Sequence, residues 1–143
     1  MKDNLNNNDI MTSQERSHRM SLIKSKDTKP EMKVRSLLFS MGYRYRLHNV
    51  KLPGNPDIEF KSKRCLIFVN GCFWHAHKKC RLNRPPKSNN IYWDTKLRTN
   101  VARDKRNIIR LKRMGWSVLV IWECELADID RVKKILIDFL ESN

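Results

Sequence analysis

The sequence predicts a single α/β domain, and three observations carry that expectation. There is a β-hairpin signature between Asp57 and Asn70, a continuously apolar strand from Trp116 to Trp122, and amphipathic stretches of helical period before, between and after them. With 143 residues the chain suits one compact core. No internal repeat or second boundary appears, so a flexible arm over residues 1–17 and a domain over 18–143 are expected.

The arm is polar and asparagine-rich, and it runs into a basic stretch carrying Arg16, Arg19, Lys24 and Lys26. Such a stretch fits a phosphate backbone and fits a solvated tail about equally. The first helix is placed from near Thr28, with Pro30 in its first turn and Val34, Leu37, Leu38 and Met41 on one stripe; Gly42 ends it. Thr28 and Glu31 have the spacing of a capping box, which gives Glu31 a structural explanation.

After Pro53-Gly54-Asn55-Pro56, the run Asp57–Phe60, the polar turn Lys61–Arg64 and the run Cys65–Asn70 read as a hairpin. If the four turn residues form the loop, Phe60 faces Cys65 and Asp57 faces Phe68, which puts Asp57, Glu59, Phe68 and Asn70 on one face. Asp57 and Asn70 then become diagonal neighbours roughly 7 to 8 Å apart, near enough to share a metal or its water. A second helix is expected from about Asp94 to Met114, with Leu97, Val101, Ile108 and Leu111 inward and Arg98, Arg103, Lys105, Arg106, Arg110 and Lys112 mostly outward. The strand Trp116–Trp122 is apolar on both faces and is expected at the centre of the sheet. A last helix from about Asp130 to Leu140, with Val132, Ile135, Leu136 and Phe139, covers the sheet.

Thirty Lys and Arg against fifteen Asp and Glu leave a net charge of +15, which favours a polyanionic partner. Nucleic acid comes first and an anionic membrane surface second. No apolar run approaches the roughly 20 residues of a spanning helix, and Met1–Asn8 lacks the apolar core of a signal peptide. A cytoplasmic, nucleoid-associated protein is expected. In that reducing setting the cysteines suggest metal binding or burial more than disulfides.

Cys72, His77 and Cys80 form a Cys-x4-His-x2-Cys cluster, and Cys124 arrives at the end of the apolar strand. These donors suit a tetrahedral Zn²⁺, and four protein ligands leave no open position, so the ion is expected to be structural. Separate buried or surface thiols are the bland alternative. Alternation turns Cys65 to the hairpin's other face and excludes it. Asp57, an acid after Pro56 in a strongly basic chain, is a candidate Mg²⁺ ligand, although an Asp in this position is ordinarily a turn residue. Phe73 and Trp74 beside the cluster, and Trp93 in the polar stretch Ser88–Trp93, suggest base stacking or wedging, against the ordinary reading of core packing.

The motifs Leu52-Pro53-Gly54-Asn55-Pro56-Asp57, Ile67-Phe68-Val69-Asn70-Gly71-Cys72-Phe73-Trp74-His75, Asn100-Val101-Ala102-Arg103-Asp104, Gly115-Trp116 and Ile121-Trp122-Glu123-Cys124 follow one another in this order. Together, over about residues 16 to 126, they resemble the very-short-patch-repair (Vsr) mismatch endonucleases. That resemblance implies a restriction-endonuclease-like fold of the PD-(D/E)xK type, a mixed central sheet flanked by helices with a structural zinc. It also implies Mg²⁺-dependent nicking of double-stranded DNA beside T:G mismatches that arise when 5-methylcytosine deaminates.

Position by position, the resemblance makes Asp57 the catalytic metal-binding aspartate and the main-chain carbonyl of Val69 a further metal contact. His75 is the histidine beside the scissile phosphate, a general base or acid. Glu31 and Asp104 become acids that hold metal-bound waters or support the site. Phe73, Trp74 and Trp93 become the wedging aromatics, and Cys72, His77, Cys80 and Cys124 the zinc ligands. A monomer acting with mismatch-repair proteins is the matching expectation for partners.

Two departures stand out. Asn70 occupies a catalytic position where the family usually has histidine, and asparagine orients water without taking its proton. Activity would then rest on His75, or Glu59 would add a carboxylate. The spacer between Cys72 and Cys80 is one residue longer than in some relatives. Two alternatives stay open: a related nuclease of different specificity linked to restriction-modification, and a zinc-stapled DNA-binding module whose catalysis lapsed through Asn70.

Overall fold

A computed structural model describes residues 26–78, 80 and 90–143. The expected arm and three of the basic residues assigned to DNA, Arg16, Arg19 and Lys24, lie outside the described residues; Lys26 is exposed.

Helix α1 spans Lys29–Ser40. Thr28 caps it by accepting the Glu31 N–H at 3.3 Å, while the Glu31 side chain reaches past the cap to accept from the Asp27 N–H at 3.1 Å. The capping box is therefore shifted by one residue, and Glu31 is buried rather than spread over the helix end. At the C-terminus Gly42 takes φ +89°, and the Tyr43 N–H closes back onto the Leu38 carbonyl at 3.1 Å. This is the left-handed turn that glycine permits after a helix.

Strands β1 (Arg46–Leu47), β2 (Ile58–Phe60), β3 (Cys65–Asn70) and β4 (Ser117–Trp122) form a mixed sheet in the order β1-β2-β3-β4. The hairpin register is the expected one, with Phe60 opposite Cys65 and Ile58 opposite Ile67. Strand β4 pairs parallel with β3. Its expected central place is corrected: among the described residues it is a terminal strand, and β2 and β3 are the inner ones. Its continuous apolarity reflects cover on both faces, not neighbours on both edges.

That cover comes from three helices. Helix α2 (Asn90–Arg113) connects β3 to β4 and lays Leu111 with Trp116 on Leu66, Phe68 and Val118. On the opposite face Val34 and Leu38 of α1 and Val132, Leu136 and Leu140 of α3 (Ile129–Glu141) enclose Ile58, Ile67 and Ile121. Truncating any one of these fully buried leucines or isoleucines to alanine would cost about 2–5 kcal/mol. Helix α2 starts earlier than its polar composition suggests, so Tyr92 and Trp93 belong to its first turn rather than to a loop. Their rings pack at a 5.0 Å centroid distance, and Trp93 also meets Phe73 at 5.3 Å, so tertiary contacts extend the helix. Among the described residues no helix is long and apolar enough to cross a membrane.

Candidate active site and thiol-imidazole cluster

The turn ahead of β2 is pressed against the α2 face. Gly54 has φ +79°, and a Cβ there would come within 3.1–3.3 Å of the Asn107 side chain and the Phe68 ring. Only glycine gives this turn both its backbone and its close approach, and the turn then delivers Asp57 to the end of the hairpin. There the β2–β3 ladder opens, and the Asp57 Oδ2 accepts the Val69 N–H at 2.7 Å in place of a backbone partner. Burial pushes the Asp57 carboxyl up to about 6, against the pull of the Val69 hydrogen bond. Glu31 adds repulsion, while His48 and His75 draw the value down. Glu31 and His75, separated widely in sequence, thus both lie close enough to Asp57 to act on its charge.

Glu31 is 2 % exposed and fully engaged. Its Oε2 meets Arg35 Nη1 at 3.2 Å and His48 Nε2 at 2.6 Å, and Arg35 also pairs with Asp27 at 2.7 Å. His48 was missed in the sequence. It follows β1, a strand only two residues long, and its N–H donates to the Asp57 carbonyl at 3.2 Å. Extending the β1–β2 register by one residue would have found it, but so short a strand carries no alternation to read.

The loop Gly71–His77 is held by α2. Asn100, 6 % exposed, donates from Nδ2 to the Trp74 carbonyl at 2.8 Å, and one turn later Asp104 Oδ2 meets His75 Nδ1 at 2.5 Å. Because an ionised carboxylate only accepts, the proton sits on Nδ1 and the Nε2 lone pair is left for chemistry. Asn100 opens the motif Asn100–Asp104, and its use as a clamp is visible only in three dimensions. Asn70 ends β3, 7 % exposed, with no side-chain hydrogen bond among the described residues. Glu59 does not join Asp57: it turns to Asn49, which donates to it at 3.0 Å.

The four expected soft ligands converge. One donor atom from each of Cys72, His77, Cys80 and Cys124 lies within 4.8 Å of the others. Both Cys72 Sγ and Cys124 Sγ approach His77 Nδ1, at 3.5 and 3.4 Å. Burial raises the Cys72 thiol to about 12 and raises Cys124 as well, so the sulfurs stay protonated unless a cation holds them. This donor set fits a thiophilic tetrahedral ion. Trp122 stacks flat on the His77 ring, 4.0 Å between centroids and 6° between planes, and presents an edge to His75 at 6.4 Å. Glu123 Oε1 accepts the Cys72 N–H at 3.3 Å. The end of β4 therefore braces both the cluster and the loop that carries His75. Cys65 stays apart in the core, as alternation required.

Phe73, Trp74 and Trp93 form one edge-to-face cluster, with centroids 4.9, 5.3 and 5.8 Å apart, and all three are half-buried. They are neither core residues nor free blades: they support one another while keeping part of each ring at the surface.

A mixed sheet with helices on both faces, opening at one end onto a half-buried aspartate, makes this a mixed α/β domain with a candidate site at the sheet's end. The solved catalytic domain of homing endonuclease I-Bth0305I is similar at a TM-score of 0.59 and 30% identity, over 81% of this chain and 97% of that one. Residues 8–82 match the family described as DNA mismatch endonuclease Vsr. The chain is 47% identical to type II nicking enzyme V.XorIIP of Xanthomonas oryzae pv. oryzae over 93% of its length and 97% of the relative's. It is 42% identical to DNA mismatch endonuclease Vsr of Escherichia coli, over 87% of this chain and 79% of that one. The chain belongs to the Vsr endonuclease family and is a DNA endonuclease.

Proposed function

We propose that the protein nicks one strand of duplex DNA beside a T:G mismatch left by deamination of 5-methylcytosine, with Mg²⁺ at Asp57 and a structural Zn²⁺ on Cys72, His77, Cys80 and Cys124. The observation that supports this reading most is the convergence of two groups: a carboxyl strained by burial, and an imidazole oriented by Asp104. A half-buried carboxyl whose charge is so poorly solvated fits a hard cation. Asp57 and the Val69 carbonyl would hold Mg²⁺, which when bound supplies positive charge at the phosphate and acidifies water there.

The chain's own residues do the rest. Nε2 of His75 takes or returns a proton at the scissile phosphate, and Asp104 stabilises the imidazolium that results. Glu31 places a second carboxyl group beside Asp57. Asn70, a neutral amide, orients water or a phosphate oxygen without moving a proton. Phe73, Trp74 and Trp93 offer ring faces to an unstacked base step, and exposed basic residues of α2 such as Arg98, Lys105 and Arg106 neutralise the backbone. The zinc cluster keeps the loop carrying His75 tied to the end of β4. A monomer in the cytoplasm, acting with mismatch-repair proteins, completes the reading.

A second reading has one observation in its favour: relatives such as V.XorIIP are named as type II nicking enzymes. On that reading the specificity differs and is linked to restriction-modification. Mapping cleavage sites on a panel of mismatched and fully paired duplexes in Mg²⁺ separates the two. A nick confined to T:G duplexes supports the first, and equal cutting of paired DNA replaces it with the second.

A further inference from the structure

We infer that His48 is a positioning residue of the active site, holding the Glu31 carboxylate beside Asp57 through its Nε2–H. The inference rests on the nuclease reading above and adds to it a residue outside the quoted motifs. Three independent features of the structure carry it.

The hydrogen bond comes first. His48 Nε2 lies 2.6 Å from Glu31 Oε2, and Glu31 is 2 % exposed. A buried carboxylate accepts only, so Nε2 carries the proton, and the bond is of the strong, charge-assisted kind. The backbone comes second. His48 has φ +50° and Asp27 has φ +56°, two non-glycine residues in the left-handed region, and among the described residues these are the two whose groups reach the Glu31 carboxylate from outside α1. Such conformations cost on the order of 1–3 kcal/mol each and persist where surrounding structure enforces them, most often at functional sites.

Placement is the third feature. The His48 N–H bonds to the Asp57 carbonyl at 3.2 Å, so the same residue grips Asp57 by its backbone and Glu31 by its side chain. It thereby fixes the spacing between two acids that repel each other. Arg35 also binds Glu31, but it is shared with Asp27 and comes from α1 itself, one turn away. His48 is the contact that ties Glu31 to the sheet.

The test compares His48→Gln, which keeps an N–H donor of similar reach, with His48→Leu, which fills the volume without one. Two readouts are taken: kcat and KM for nicking a T:G duplex, and Mg²⁺ binding to the DNA-free protein by titration calorimetry. We expect His48→Leu to lower kcat by about 10–100-fold with KM little changed and to weaken Mg²⁺ binding severalfold, as loss of a supporting contact does. His48→Gln should restore most of both. Wild-type kcat and Mg²⁺ affinity in His48→Leu would overturn the proposal. So would equal loss in both variants together with a matching fall in Tm, since that describes a packing role. If the wild-type protein nicks no duplex yet His48→Leu still weakens Mg²⁺ binding and His48→Gln restores it, the nuclease reading fails and the positioning role stands.

Discussion

His75 and Asp104 meet at 2.5 Å across the gap between the cysteine loop and α2, which joins a residue beside the candidate phosphate site to a carboxylate about 30 positions later. The pair fixes one tautomer and one ring orientation. It should therefore behave as a unit: His75→Ala is expected to lower kcat by about 10²–10⁴-fold, and Asp104→Asn by about tenfold or more. In the double variant the second change should add little, because the orienting acid has lost its imidazole. Steady-state nicking rates of the single and double variants check this, and strictly additive effects would show that the residues act separately.

The raised carboxyl of Asp57 makes a statement about stability. Its value of about 6 in the fold lies above the ordinary carboxylate range near 3.9, so between those pH values the folded chain holds a proton that the unfolded chain has lost. The contribution is fully present below about pH 4 and disappears as pH rises through about 6. Metal-free Asp57→Asn should be more stable than wild type at pH 7.5 by on the order of 1–2 kcal/mol, allowing for the solvent that still reaches this half-buried group. Added Mg²⁺ should raise the Tm of the wild type and leave the variant unmoved. Urea titrations at pH 4.5 and 7.5, with and without Mg²⁺, measure both effects.

Removing the soft metal should loosen the loop that carries Phe73, Trp74 and His75. Purified protein is expected to contain about one zinc per chain, and Cys124→Ser to lose both the zinc and several degrees of Tm. Elemental analysis beside thermal unfolding tests this. Full stability in a zinc-free protein would leave the thiol cluster as packing alone.

The half-buried aromatics should act on discrimination more than on chemistry. Trp93→Ala is expected to reduce the preference for a T:G duplex over paired DNA by about tenfold, within the range for losing one stacking platform. Competition binding with the two duplexes reads this directly.

Much of the architecture was legible because long periodic segments carry their own evidence: the stripe Val34–Leu37–Leu38, the hairpin register, and the last helix appear where the sequence places them. The soft-ligand cluster was legible because spacing brings three of its members together and the end of an apolar strand brings the fourth. Other features were hidden for physical reasons. An apolar strand records cover on its faces, so β4 reads as central while standing at an edge among the described residues. The start of α2 depends on Trp93 packing against Phe73, a contact between residues 20 apart. His48 lies beyond a strand of two residues, and Glu59 is drawn away to Asn49 by a side chain that sequence periodicity does not describe.

Asp57 is the proposed group through which a divalent cation makes phosphodiester cleavage possible. The most direct measurement is the single-turnover nicking rate on a T:G duplex in Mg²⁺, for wild type and Asp57→Ala, with DNA binding followed in the same samples. The wild type is expected to nick, and Asp57→Ala to lose about 10³-fold or more of that rate with the duplex still bound. Tight binding by the wild type with no strand cut, or an Asp57→Ala variant that nicks at the wild-type rate, would contradict that role.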